Sequence, residues 1–138
     1  MSLTITLGVN DLEQSEIFYR DLLRLPIERH QPRSDAPPFL LLRSNAATIV
    51  FRSDAVLQSR HPSVFQNLDH HPKGVGVSLE FEITELDALE RRVDSQGHAL
   101  CYQLDDDESG WQEIWLYDPD GYLLILSENR GRSAPDIR

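Results

Sequence analysis

Carboxylates and aromatic rings recur at every second position in two segments of the chain. Glu80 and Glu82 lie two residues apart in one alternating run, and Glu113, Trp115 and Tyr117 follow the same spacing in another. Because side chains two apart in a strand point to the same side, each set shares one face of its strand. Carboxylates beside aromatic rings favour a cationic or partly aromatic ligand, through charge pairing and stacking. The pattern predicts a ligand-binding face, with solvent-facing carboxylates as the alternative.

Other residues that could support catalysis lack suitable partners in the sequence. The 5 histidines show no spacing typical of a metal-ligand pair, and the adjacent His70 and His71 cannot share one face. No serine has a visible base partner for a nucleophilic triad. The single cysteine, Cys101, lies in a predicted strand at residues 98–104, where we expect a buried and unreactive thiol.

The elements that position the predicted face come from an internal repeat. Residues 7–19 (LGVNDLEQSEIFY) return in outline at residues 81–93 (FEITELDALERRV), an offset of 74 residues (81 − 7). Both copies follow an alternating run, begin a helix and precede several short strands. The repeat predicts an α+β fold of two tandem βαβββ modules.

The predicted organisation is a single domain with four segments. Module one covers residues 1–53, a linker covers 54–73, module two covers 74–128 and a polar tail covers 129–138. The first strands of the two modules place Thr4, Thr6 and Ser78 on the face away from the helices. We expect a strongly curved mixed sheet with the helices on the outside, so that this face lines a concave cavity.

The repeat, the segment VNDLEQSEIFYRDLLRLP and the late DPDGYLLILSE together resemble the vicinal oxygen chelate superfamily. That superfamily includes glyoxalase I, extradiol dioxygenases, and fosfomycin and bleomycin resistance proteins. The resemblance covers nearly the whole chain and implies the two-module fold described above. Because members of the superfamily commonly pair, the resemblance also implies a homodimer. The position of Trp115 resembles one that contacts substrate in fosfomycin resistance proteins.

Metal-using members of that superfamily carry one ligand on each of four strands. By resemblance, two of these positions are Thr4 and Ser78, 74 residues apart (78 − 4). The other two are Ile125 and, by the same offset, Phe51 (125 − 74). None of the four side chains provides the imidazole or carboxylate donors that a divalent cation needs. We therefore expect no metal and no other cofactor; a shifted site of glutamates and a histidine is the alternative.

Composition limits the classes of partner. The chain has 13 basic and 23 acidic residues, a net charge of −10, and no basic stripe that could neutralise phosphates. Nucleic acid and anionic membrane surfaces are therefore poor partners. No apolar run approaches the ~20 residues of a membrane span. The start of the chain lacks the features of a signal peptide, and a single cysteine fits a reducing compartment, so we expect a cytoplasmic protein.

The sequence thus predicts a glyoxalase/bleomycin resistance-type protein that binds a small organic ligand without a metal and acts by sequestration. The predicted cavity residues are Thr4, Thr6, Phe51, Ser78, Glu80, Glu113, Trp115, Tyr117 and Ile125. The alternative is a lyase, isomerase or dioxygenase of the same superfamily, with an atypical metal site or a glutamate as general base. A non-catalytic subunit with a packed concave face is a third reading. The sequence does not decide whether a reaction is catalysed.

Overall fold

The computed structural model describes residues 1–131, which divide into two compact units, Met1–Pro72 and the part from Lys73 onward. The division falls at the end of the segment predicted to be a linker. Residues 132–138, which make up most of the predicted polar tail, lie outside the described residues. Within the described part of the chain, no helix has the length and apolar character needed to cross a membrane.

The first unit begins with a strand and a helix, continues with three strands, and ends in short helices. Its elements are β1 (Thr4–Val9), α1 (Leu12–Ile17) with a π-helical continuation (Phe18–Leu22), β2 (Ile27–His30), β3 (Phe39–Arg43), β4 (Thr48–Ser53), α2 (Asp54–Arg60) and a 3₁₀ turn (Leu68–His70). Helix α2 occupies the start of the segment that was predicted to be a linker.

The second unit repeats the order of one strand, one helix and three strands. Its elements are β5 (Ser78–Glu82), α3 (Leu86–Ser95), β6 (Tyr102–Asp106), β7 (Trp111–Tyr117) and β8 (Leu123–Asn129). The strand order is β1-β4-β3-β2 in one sheet and β5-β8-β7-β6 in the other. In each sheet the first strand pairs in parallel with the last, and the remaining pairs are antiparallel. The α+β class and the repeated βαβββ module are confirmed, as two four-stranded mixed sheets.

One face of each sheet packs against a helix and forms an apolar core. In the first unit, Phe51 lies beside Leu7 and Leu40 in register, is fully buried, and has its ring 4.8 Å from that of Tyr19, which follows α1. In the second unit, buried leucines and a valine of α3 face the sheet; they are Leu86, Leu89 and Val93. We call the opposite face, away from α1 or α3, the open face of each sheet.

The helix-to-strand contacts show how closely the repeat is kept. Arg29 of β2 donates to Glu16 of α1 at 2.9 Å, and Gln103 of β6 donates to Glu90 of α3 at 2.7 Å. Both residues of the second pair lie 74 positions after those of the first (103 − 29 and 90 − 16). The offset read from the sequence therefore relates side-chain contacts as well as elements.

The two helices begin differently, although their first residues align in the repeat. Asp11 caps α1 with its own carboxylate, which accepts from the backbone N–H groups of Glu13 and Gln14. Its counterpart Glu85 has a left-handed backbone conformation, and its side chain makes no capping hydrogen bond. In the second unit Glu128 of β8 supplies the carboxylate, accepting from the backbone of Glu85 at 2.9 Å and of Leu86 at 3.2 Å. A short side chain suits self-capping.

Two predicted strand limits in the second module are wrong. The alternating run from residue 75 predicts an early start, but β5 begins at Ser78. Gly74 and Gly76 have φ of 74° and 79°, conformations outside the β region, and Val75 is 78% exposed. The predicted strand at residues 98–104 begins only at Tyr102. Cys101 therefore precedes the edge strand β6 and is exposed, contrary to the predicted buried thiol.

Candidate functional site

The open face of the second sheet brings together the predicted site residues of module two. Register places Glu80, Ile125, Trp115 and Tyr102 in one row across the four strands. The next row contains Glu82, Ser127, Glu113 and Leu104, and a row on the other side contains Ser78, Leu123 and Tyr117. All six module-two residues proposed from the sequence thus lie on one side of one sheet.

Glu113 is the central side chain of this face. Only 2% of it is exposed. Its Oε2 accepts a hydrogen bond from the indole N–H of Trp111 at 2.7 Å, and its Oε1 accepts one from the indole of Trp115 at 2.8 Å. A buried carboxylate is costly unless donors satisfy its oxygens, so the two indoles compensate part of that cost. The same bonds fix the orientation of both rings.

Aromatic side chains surround the half-buried Trp115. The ring of Tyr102 lies 5.0 Å from that of Trp115 at an angle of 62°, an edge-to-face contact. Tyr102 and Tyr117 are 48% and 57% exposed, so the rim of this cluster is open to solvent. Edge-to-face packing leaves part of each ring face available to a ligand.

Ser127 adds a buried hydroxyl directly opposite Glu113. Its side chain is fully buried, and within residues 1–131 its Oγ has no hydrogen-bond partner. Sequence reasoning missed Ser127, Tyr102 and the contact of Trp111 with Glu113. The signal for Trp111 was present, since it lies two residues before Glu113 in the same alternating strand. The other two depend on cross-strand register, which the sequence does not state.

The open face is acidic. In the four strands of the second sheet it carries Glu80, Glu82, Glu113 and Asp106, and these strands place no Lys, Arg or His on this side. Hydrogen bonds from the side chain and backbone of Ser109 lower the pKa of Asp106, which keeps its charge negative well into the acidic range. This face therefore attracts cations rather than anions.

In the first sheet, Thr4 and Thr6 lie on the open face and are exposed, as alternation predicted. The prediction for Phe51 is wrong, because this ring belongs to the helix-side core. Register explains the error: Glu80 pairs with Ile125 in the second sheet, whereas Thr6 pairs with Val50 in the first. The equivalent of Ile125 is Val50, and a shift of one residue moves a side chain to the other face.

The residues at the superfamily's metal positions do not fit a divalent cation. The four positions hold two hydroxyls and two aliphatic chains, on Thr4, Ser78, Ile125 and Val50, and hydroxyls alone are weak donors for such ions. Among residues 1–131, no group of three or more His, Cys, Asp or Glu is placed to hold a metal ion. The shifted site of Glu80, Glu82, Glu113 and a histidine stays a prediction from the sequence.

Comparison with known proteins identifies the fold. No family profile and no curated protein sequence matches the chain. A lactoylglutathione lyase structure from Agrobacterium tumefaciens is 16% identical, with 93% of this chain and 92% of that one covered and a TM-score of 0.61. A glyoxalase/bleomycin resistance protein/dioxygenase from Nocardioides is also 16% identical, covers 100% and 89%, and has a TM-score of 0.65. A hypothetical protein from S. aureus is 23% identical, covers 93% of each chain, and has a TM-score of 0.66.

These similarities define the class at the level of fold. The chain has the fold of the glyoxalase/bleomycin resistance protein/dioxygenase superfamily. The fold implied by the sequence resemblance is thereby confirmed.

Proposed function

We propose that this chain binds a small organic cation with an aromatic part on the open face of its second sheet, without a metal ion. Its action is to hold that ligand, as a sequestering protein does. The observation that carries the proposal is the buried Glu113 carboxylate, which two indole N–H groups hold inside an acidic and aromatic face.

The contacts of Glu113 support binding because they order the face before a ligand arrives. A ligand that meets fixed rings loses less free energy to the ordering of protein side chains. Trp115 is half-buried, so part of its ring is shielded while the rest can receive a cation or an aromatic group. A cation over an indole ring gains ~0.5–2 kcal/mol, more where water is excluded.

Charge supports a cation in particular. Glu80 is exposed and lies in the same row as Trp115, separated from it by Ile125. A cation above Ile125 would have a carboxylate on one side and an indole on the other. Fold neighbours named as a lactoylglutathione lyase and as a glyoxalase/bleomycin resistance protein/dioxygenase are consistent with a small-molecule ligand.

Intrinsic fluorescence offers a direct test, because the only 2 tryptophans of the chain are Trp111 and Trp115, on either side of Glu113. We expect cationic aromatic compounds and cationic glycopeptides to change this fluorescence saturably and to raise the melting temperature. Neutral compounds of the same shape should do so at higher concentration. Calorimetry then gives the affinity and the stoichiometry.

Variants separate charge from shape. Glu113→Gln keeps the side-chain volume but cannot accept from both indoles, so we expect about tenfold weaker binding and a stability loss of ~1–3 kcal/mol. Glu80→Gln, at an exposed position, should weaken binding a few-fold with little effect on stability. Glu108→Gln is the matched control, since it removes the same charge from an exposed turn of the same unit.

Two results would contradict the proposal. One is the absence of any fluorescence or thermal response to cationic or aromatic compounds at millimolar concentration. The other is stoichiometric metal in the purified protein whose removal by a chelator abolishes structure or activity. Mass spectrometry of the bound compounds distinguishes sequestration from the catalytic alternative, because a lyase, isomerase or dioxygenase would change the ligand.

A further inference from the structure

The open face of the first sheet carries a half-buried arginine in an unusual setting. Arg52 follows Phe51 on β4 and points to the opposite side, with its guanidinium 4.5 Å from the ring centre of Phe39. The ring of His30 lies against the same phenyl ring, 5.7 Å away and within 15° of parallel. The three side chains form one stack across the sheet, which we call the Arg52 stack.

Arg52 is half-buried and forms no ion pair with a carboxylate among residues 1–131, in an acidic chain with 23 Asp and Glu against 13 Lys and Arg. Five other arginines each form an ion pair with a carboxylate: Arg20, Arg29, Arg33, Arg43 and Arg130. The nearby carboxylate of Glu28 is occupied, since it contacts His30 at 3.2 Å and Arg43 at 3.4 Å.

A second positive charge acts on Arg52. Burial, and then the charge of Arg60, lower the pKa of Arg52. Arg60 is exposed in the last turn of α2, whose start packs against β1, with Asp54 and Leu57 next to Gly8. The two guanidinium groups therefore carry like charges that act on each other, and one of them is half-buried.

We infer that Arg52 and Arg60 bind the oxyanion of a small molecule, a carboxylate or a phosphate group. A guanidinium presents several N–H donors in a plane and can bind such a group through two parallel hydrogen bonds. The contact with the Phe39 ring restrains the Arg52 guanidinium, so less of its freedom is lost when the anion arrives. An incoming oxyanion would also relieve the repulsion between the two arginines.

The site is distinct from the cation-binding face of the second sheet and does not depend on it. It takes ligand groups of the opposite charge and is built from residues of the first unit alone. A failure of cation binding would therefore leave the oxyanion site standing, and the reverse also holds.

The test is an NMR titration that observes the arginine side-chain Nε–H signals while inorganic phosphate or acetate is added in low-chloride buffer. We expect saturable shifts of the Arg52 and Arg60 signals. Arg52→Gln should weaken binding about tenfold, and Arg60→Ala, at an exposed helix position, a few-fold. Arg33→Ala is the control, because this exposed loop arginine already pairs with Asp35 and should leave binding unchanged.

The melting temperature of each variant shows whether it is folded, and Arg60→Ala keeps the test valid if Arg52→Gln is unstable. The inference is overturned if neither anion gives a saturable shift at Arg52 and Arg60. It is equally overturned if folded Arg52→Gln and Arg60→Ala bind both anions as tightly as the original chain. A preference for phosphate or for acetate identifies which oxyanion the ligand carries.

Discussion

The two open faces combine a charged group with aromatic rings in opposite ways. In the first sheet a cation, Arg52, lies over the face of the Phe39 ring. In the second sheet an anion, Glu113, lies at the N–H edges of two indole rings. Both arrangements use the polarity of an aromatic ring, which is negative on its face and positive at its edge.

The faces of the two sheets that pack against α1 and α3, by contrast, are alike. Each carries apolar rows in register, such as Leu7 with Phe51 and Phe81 with Leu126, and each keeps one polar contact from the helix to the edge strand. Packing density restricts change in a core, while an open face tolerates new side chains. The two modules therefore have similar cores and different open faces.

The strongest test of this comparison is at Phe51, which sequence reasoning placed on the wrong face. If the ring belongs to the core, Phe51→Ala should lower the free energy of unfolding by ~3–5 kcal/mol, through lost burial and a cavity beside Tyr19. Chemical denaturation followed by circular dichroism measures the change.

Thr6→Ala is the control for that substitution, because it removes an exposed open-face side chain of the same sheet and should change stability by less than ~0.5 kcal/mol. Equal and small effects for both variants would mean that Phe51 does not support the core. The assignment of faces in the first sheet would then fail.

The sequence could predict the faces but not every register. Alternation of side chains correctly grouped Glu113 with Trp115 and Tyr117, because that periodicity is a property of one strand. Phe51 was misplaced since the two modules have loops of different length, and an offset of 74 fits the first strands but not the last. By register, β8 lies 75 residues after β4, as Leu123 and Thr48 show (123 − 48).

Buried partners of the site were harder to predict for the same reason. Ser127 lies opposite Glu113 only because β7 and β8 pair as they do. The exposure of Cys101 and Val75 depends on where strands begin, and positive φ at glycines set that limit in β5. Periodicity alone cannot locate such ends, because an alternating sequence can continue past the last paired residue.

A smaller effect is expected at the two helix starts, which differ in the origin of their cap. Burial alone would disfavour the charged form of Glu128, but hydrogen bonds from Arg130 and from the backbone of Leu86 and Glu85 lower its pKa overall. A carboxyl group whose pKa is lowered by folding stabilises the fold at any pH above its pKa in the unfolded chain, ~4.3. It loses this contribution as the pH falls through its pKa in the folded state. Glu128→Gln should cost ~1 kcal/mol at neutral pH.

The pH dependence provides the check on that prediction. The difference in unfolding free energy between the original chain and Glu128→Gln should shrink below about pH 4, as Glu128 becomes protonated. Asp11→Ala should cost a similar ~1 kcal/mol at neutral pH by removing the local cap of α1. If the Glu128→Gln difference stayed constant down to strongly acidic pH, a carboxylate cap from β8 would be ruled out.

The smallest expected effect concerns the polar contact that the repeat has kept. The pair Arg29–Glu16 joins two side chains of opposite charge, whereas the donor of the second pair, Gln103, is neutral. Both pairs join the helix to the edge strand at equivalent positions. Glu16 also contacts Arg20 at 3.0 Å, so its partners form a small network.

Double-mutant cycles with alanine should give a coupling of ~0.5–1 kcal/mol for the first pair and less for the second, since exposed pairs contribute little. Added salt should weaken the first coupling and leave the second nearly unchanged, because screening acts on the interaction between two charges. Equal salt dependence would show that the equivalent geometry, rather than charge, determines both contacts.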